Sequence, residues 1–175
     1  MTLALEIRLS TPADHGAIEG LHRDAFPDED LVPLVQDLLA LGESVLSLVG
    51  VLETAIVGHV MFTRCNVGGD RNDAVLLGPV AVASAWQRRG VGSRLVRDGI
   101  ERVRDDGIHA VFVLGDPAYY ARFGFLPDAG VEPPYQLPRQ YAEGWQSLWL
   151  NSSEARPTGT LAVPEPWRQK RLWQP

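Results

Sequence analysis

The feature that most constrains this chain is one continuous stretch, residues 74–105. An apolar run over 74–83 is broken in its middle by Gly78-Pro79. It leads through Trp86-Gln87-Arg88-Arg89-Gly90-Val91-Gly92-Ser93 into a segment that places Val91, Leu95, Val96, Gly99, Ile100 and Val103 on one helical face. The apolar run has the length of a buried strand and falls far short of the roughly 20 residues that cross a bilayer. Proline has no N–H to give to a ladder, so its position predicts a bulge or a local loss of pairing there. A strand running through a glycine-containing loop into an amphipathic helix over 88–105 places the chain in the α/β class.

The junction itself has a chemical meaning. The first turn of any helix presents N–H groups with no partner in that helix, and the aligned peptide dipoles add partial positive charge. Glycines at 90 and 92 remove side chains that would hold an anion away, which makes a cradle for phosphate. Residues 86–104 carry six arginines (88, 89, 94, 97, 102 and 104) against Asp98 and Glu101, a local charge of +4 in a chain of net charge -6. A solvated arginine face on a surface helix is the plainer reading of the same count. The loop lacks the third glycine of a dinucleotide fingerprint, and no Gly-Lys-Ser/Thr is present for a P-loop.

The rest of the chain reads as alternating elements. A strand over 6–9 precedes a helix that starts at Thr11-Pro12-Ala13-Asp14, with Thr11 as N-cap. A second helix carries Leu31, Leu34, Val35, Leu38 and Leu39. Segments 45–52 and 56–65 pair as a hairpin around Glu53-Thr54, and 66–73 is a loop. A strand over 109–114, a short helix over 117–123, a strand start at 125–126, a loop over 130–139 and a strand over 145–150 follow. The order predicts a mixed sheet with helices on both sides, one domain over 1–150 and an extension over 151–175 docked on it. The length, 175 residues with 45% hydrophobic side chains, suffices for a core without disulfide or metal staples. A lone cysteine, Cys65, excludes an internal disulfide and a cysteine-based zinc site, and no histidine has metal-ligand spacing, so no metal is expected. The acidic balance argues against nucleic acid as a partner. Residues 1–10 hold neither the basic nor the apolar region of a secretory signal, so a soluble cytoplasmic protein with no membrane partner is expected.

Three segments in order carry a family resemblance. Gln87-Arg88-Arg89-Gly90-Val91-Gly92 resembles the acetyl-CoA pyrophosphate loop of the GCN5-related N-acetyltransferases (GNAT). Leu77-Gly78-Pro79-Val80-Ala81-Val82 resembles that family's bulged fourth strand. Leu114-Gly115-Asp116-Pro117-Ala118-Tyr119-Tyr120-Ala121-Arg122-Phe123-Gly124-Phe125 resembles its Tyr-x-x-x-Gly-Phe element, in a form close to the YhbS-like branch. The resemblance implies a GNAT fold: a mixed, mostly antiparallel central sheet with helices on both faces and a splay between the fourth and fifth strands. It implies that acetyl-CoA is the co-substrate. The main chain of Val80, Ala81 and Val82 would pair with its pantetheine arm, and the Val82 N–H would polarise the thioester carbonyl. Residues Gln87, Arg88, Arg89, Gly90, Val91 and Gly92, with Ser93, would hold the pyrophosphate.

The expected reaction is direct attack of a primary amine, on a small molecule or a peptide, upon the thioester. By resemblance Tyr120 is the acid that protonates the departing thiolate; Tyr119 is core or cleft wall. Relatives often carry an Asn where this chain has Val113. Asp116 caps the short helix or contacts the pantetheine or the acceptor. The base stays open among Asp28, Glu29, Asp30, Glu53, His59 and a water chain. Trp145, Trp149, Trp167 and Trp173 line an acceptor pocket or a dimer contact, or pack the last strand and the tail. Domains of this family often form homodimers, and the oligomeric state stays open. A non-catalytic acyl-CoA-binding regulatory module, and an acyltransferase using a longer acyl-CoA, are the alternatives.

Overall fold

The structure, a computed structural model, describes residues 3–69, 73–151 and 156–174. The chain gathers into two compact units. The first takes the residues up to Thr63 together with Gly78–Arg102, and the second takes Arg64–Leu77 together with the residues from Val103 onward.

In the first unit β1 (Glu6–Leu9) runs antiparallel to β2 (Val45–Leu52), which runs antiparallel to β3 (Ala55–Val67). The two-residue connection between β2 and β3 places Glu53 at φ 55°, so the predicted hairpin forms where expected. Thr11 and Asp14 form a capping box at the turn Pro12–Asp14, which leads into α1 (His15–Ala25), and α2 (Val32–Leu39) follows. The Arg8 guanidinium grips both oxygens of Asp14, at 2.8 and 3.0 Å, and holds that carboxyl well below the usual range. β4 (Ala74–Val82) enters this unit at Gly78, and α3 (Val91–Asp105) leaves it at Arg102. Side chains alternate along β3 and settle which helix covers which face. Phe62 lies against α3 so closely that a Cβ on Gly99 would come within 2.1 Å of its ring. His59 points the other way and meets His22 of α1. Helices therefore cover both faces of these strands, as expected.

One boundary differs from the sequence reading. α3 begins at Val91 rather than at residue 88, because Arg88 and Gly90 adopt left-handed backbone at φ 62° and 85°. Arg88 and Arg89 belong to the loop ahead of the helix.

In the second unit the start of β4 runs parallel to β5 (Ala110–Leu114). α4 (Pro117–Tyr120), a 3-10 turn to Phe123, β6 (Leu126–Pro127) and β7 (Val131–Glu132) follow. β8 (Trp145–Trp149) pairs antiparallel with the whole of β5 and with β6. The parallel register of β4 with β5 covers Ala74–Leu76 against Ala110–Phe112 and ends one residue short of Gly78-Pro79, a cis peptide. The sheet is thus mixed and mostly antiparallel.

The predicted loop over 66–73 is partly strand. Asn66 and Val67 end β3 and pair antiparallel with β9 (Gly159–Ala162), which also pairs parallel with β7; residues 70–72 lie outside the described residues. The tryptophans pack. Trp145, Trp167 and Trp173 are buried, the Trp173 indole N–H donates to the Trp167 carbonyl at 2.9 Å, and the Trp145 ring stacks on Phe112. Trp149 is half-buried with the Arg156 guanidinium 5.2 Å from its ring centre. Among the described residues no helix is long and apolar enough to cross a membrane.

Candidate active site

In the first unit the end of β4 fixes the direction of its own main chain. The Ala83 N–H donates to the Val57 carbonyl of β3 at 2.9 Å, and the Ala81 carbonyl faces Gly58 of the same strand. Successive peptide groups of an extended strand point to opposite sides. Val80 and Val82 therefore turn their N–H and C=O groups away from β3. The Gln87 side-chain amide donates to the Val82 carbonyl at 3.1 Å, and the Val82 N–H stays directed outward. Ala81 is buried, while Val80 and Val82 are half-buried.

The chain then turns. Trp86 N–H donates to the Ala83 carbonyl at 2.7 Å, and the left-handed residues 88 and 90 carry the backbone into α3. A side chain is strained at the φ of Gly90, and the space where its Cβ would sit is open, with no atom within 4 Å. Arg94 N–H closes the first helical hydrogen bond onto the Gly90 carbonyl, at 3.0 Å. The N–H groups of Val91, Gly92 and Ser93 precede it and have no acceptor within the helix. Gln87, Arg88, Arg89 and Gly90 are exposed, Val91 is buried, and Gly92 and Ser93 are half-buried. Arg89 rests its guanidinium 5.0 Å from the Trp86 ring centre, a cation–π contact that holds it beside the loop. Elsewhere in the arginine cluster, Arg94 donates to the Leu5 carbonyl at 3.3 Å and Arg102 pairs with Asp98. The ten residues expected at the cofactor from Val80 to Ser93 thus lie along one strand, loop and helix start. Exposed amides, an open glycine and a local excess of cations suit a diphosphate.

Tyr120 and Asp116 belong to the second unit. Asp116 is the N-cap of α4, accepting the Ala118 N–H at 2.9 Å, so the capping role is the one observed. Tyr120 is half-buried, its ring in edge contact with Tyr119 and Phe125. Burial pushes its phenol above the ordinary tyrosine range, and Tyr119 and Asp116 push it further. The hydroxyl is therefore protonated across the physiological range. A Cβ on Gly115 would lie 2.4 Å from the Tyr120 ring, so the ring occupies space that only glycine leaves. Val113, at the departure from the family pattern, is buried.

Several residues escaped the sequence reading. The Gly115 turn is held by Gly144, whose carbonyl accepts the Gly115 N–H at 3.0 Å, and by buried Gln146, whose amide donates to the Gly115 carbonyl at 3.2 Å. Asp24, at the end of α1, takes both donors of Ser84, main-chain N–H at 2.7 Å and hydroxyl at 3.0 Å, just past β4. The only sequence signal of Gln146 and Asp24 is a polar side chain, which distant pairing turns into a contact. Of the open candidates for the base, Asp30 accepts the Val32 N–H at 3.2 Å at the start of α2. Cys65 is buried, and burial pushes its thiol upward, away from a reactive thiolate. Among the described residues no group of acidic, histidine or cysteine side chains is arranged to hold a metal ion.

The acetyltransferase (GNAT) family model matches residues 16–125 of this sequence. The chain belongs to the GNAT family. It is 34% identical over 165 residues to the uncharacterized N-acetyltransferase YjhQ of Escherichia coli K12, covering 90% of this chain and 91% of that protein. It is 36% identical over 120 residues to the uncharacterized N-acetyltransferase YhbS of the same strain, covering 68% and 72%. The crystal structure of E. coli YhbS in complex with CoA superposes with a TM-score of 0.86 at 28% identity, covering 97% of this chain and 94% of that one. A GNAT acetyltransferase from Brucella melitensis in complex with acetyl-CoA superposes with a TM-score of 0.77 at 28% identity, covering 94% and 98%. The expected fold class and family are thus confirmed, and this acetyltransferase is an enzyme of the acyl-transfer class.

Proposed function

We propose that this acetyltransferase uses acetyl-CoA to acetylate a primary amine of a small molecule or peptide by direct attack. The observation that supports this most is the outward-directed Val82 N–H, set beside a left-handed loop and an open helix start. Two of the similar solved structures hold CoA or acetyl-CoA, which agrees with that reading. Residues 87–93 would hold the diphosphate through main-chain amides, with Arg88 or Arg89 adding charge. The main-chain groups of Val80 and Val82 would meet the pantetheine amides. The Val82 N–H would donate to the thioester oxygen as negative charge develops there, a contact worth most in the transition state.

The amine must attack as the free base, because an ammonium ion has no lone pair. The C–N bond forms as the C–S bond breaks, and the thiolate leaves. A free thiol has a pKa near ~8.5, so a proton from the Tyr120 hydroxyl eases departure at neutral pH. The test is an amine screen at saturating acetyl-CoA, read by release of free thiol, with Tyr120→Phe as the control. Tyr120→Phe is expected to lower kcat by roughly a hundredfold or more while the Kd for CoA changes less than about twofold. Equal turnover by the two proteins removes Tyr120 from the mechanism. Binding without turnover of any amine marks a regulatory module instead.

A further inference from the structure

A buried polar chain crosses the first unit beneath α1. His22 Nε2 lies 2.9 Å from His59 Nδ1, His59 Nε2 lies 2.8 Å from Ser47 Oγ, and Ser47 Oγ lies 2.7 Å from Ser10 Oγ. His22 is 1% exposed and His59 0%, whereas Ser10 is half-buried at the solvent end. At the other end His22 lines a cleft of about 520 Å³ between α1 and α2, whose rim carries Asp28, Glu29 and Asp30. The His22 Nδ1 is buried and has no hydrogen-bond partner among the described residues. Every other polar atom of the four side chains has a partner within the chain, so this nitrogen is its unpartnered inner end, on a residue that lines the acidic cleft.

We propose that His22, His59, Ser47 and Ser10 form a proton relay that takes up the proton a cationic acceptor amine must lose while releasing another to solvent at Ser10. This rests on the acetyl-transfer reading above. The acidic rim attracts an ammonium ion. Its proton passes to His22 Nδ1 through one cleft water, since Nδ1 itself is shielded from bulk. His22 Nε2 gives its proton to His59 Nδ1, His59 Nε2 gives its proton to Ser47 Oγ, and the Ser47 hydroxyl, which accepts from Ser10 at rest, turns with Ser10 and passes its proton outward. One proton crosses, and every side chain ends neutral. After product leaves, a proton enters at Ser10 and the Nδ1 proton passes to water in the vacated cleft, so the chain regains its first polarity and the relay serves as a proton sink for the duration of the transfer step.

Burial explains why a relay fits better than a lone base. It holds His22 down to about 4, and it holds His59, helped by His22 and His15, down to about 3. Neither ring can store a proton at neutral pH, so a proton that enters must be handed on. The charged or titratable groups around the pair are His15 on α1 and Arg23, Asp28, Glu29 and Asp30 along the cleft. Location supports the role as well. Asp24, on the same helix as His22, holds Ser84, and Val57, on the same strand as His59, accepts the Ala83 N–H, so the two elements that carry the histidines both bind the chain just past Val82.

The test compares two probe amines at pH 7. Benzylamine is an ammonium ion there and must be deprotonated, whereas methoxyamine is already neutral. His22→Gln keeps an amide able to hydrogen-bond but unable to relay. It is expected to lower the ratio of benzylamine to methoxyamine turnover by roughly a hundredfold. Ser47→Ala, which cuts the exit and leaves both rings, is expected to lower the ratio in the same direction. The deficit on benzylamine should shrink as pH rises and solvent supplies the free base. A purely structural role would slow both amines alike. Wild-type transfer with an unchanged ratio in either variant overturns the relay and leaves acetyl transfer standing. Wild-type transfer to neither amine overturns both.

Discussion

Gly115→Ala tests how the second unit presents Tyr120. The new methyl group would sit 2.4 Å from Cε2 and 3.1 Å from Cδ2 of the ring, against ordinary contacts of 3.4–4 Å. The backbone at 115 is not left-handed, so alanine meets no conformational penalty there, only the ring. The turn cannot retreat easily, since Gly144 and Gln146 hold its N–H and carbonyl. The ring must therefore move by about 1 Å, and a misplacement of that size can cost roughly a hundredfold in rate. Overpacking of this kind destabilises by about 1–3 kcal/mol, small enough for the protein to stay folded. The assay is steady-state thiol release, with calorimetry of CoA binding in parallel. The expected result is a kcat lower by about two orders of magnitude and a Kd for CoA within about twofold of wild type. The double variant with Tyr120→Phe should lose little beyond Tyr120→Phe alone, because both changes remove the same proton donor. Normal turnover by Gly115→Ala, or full additivity in the double variant, refutes the positioning argument.

Gly90→Glu should abolish CoA binding, since it places an L-residue at φ 85° and a carboxylate in the open space meant for a diphosphate; retained binding by calorimetry would remove the loop from the site. Stability should fall steeply in mild acid. His22 and His59 sit near 4 and 3 in the folded protein against about 6.5 when unfolded, so the unfolded state binds two more protons between pH 6.5 and 4. The sign is loss of stability as pH falls, by roughly 2–3 kcal/mol per pH unit across that window. Urea midpoints that stay flat from pH 6.5 to 4.5 would contradict the burial of the pair as neutral rings. Below pH 4 the Arg8–Asp14 clamp adds to the loss. The Asp14 carboxyl is depressed in the folded state, so its contribution is complete above the ordinary carboxylate range and fades as pH drops.

What could be read from the sequence was contiguous. The β4–loop–α3 segment carries its meaning in neighbouring residues: a proline without an N–H, glycines where a chain turns, apolar positions at helical spacing. The fold class and the family followed from three such segments. The start of α3 was misplaced by three residues because Arg88 adopts left-handed backbone, which few non-glycine residues do and no local pattern signals. The pairing of the end of β3 with β9 was hidden because β9 lies about a hundred residues downstream. The histidine chain was hidden for the same reason. His59 stands in the sequence as one open candidate for the base, and only the pairing of β2 with β3 and the packing of α1 bring Ser47 and His22 to its two nitrogens. Gln146 and Asp24 likewise acquire their roles from contacts 31 and 60 residues away in the chain.

The two compact units are interleaved rather than successive, and the crossings fall inside β3, β4 and α3 instead of in linkers. Neither half can be excised as a single stretch of polypeptide. A cut at residue 63 splits a thirteen-residue strand, and a cut at residue 102 removes the last turn of the helix whose opposite end forms the anion cradle. Fragment complementation or half-domain exchange with a relative would have to sever a strand or a helix at each junction. Evolutionary tinkering with one unit is therefore constrained by the other through shared covalent elements.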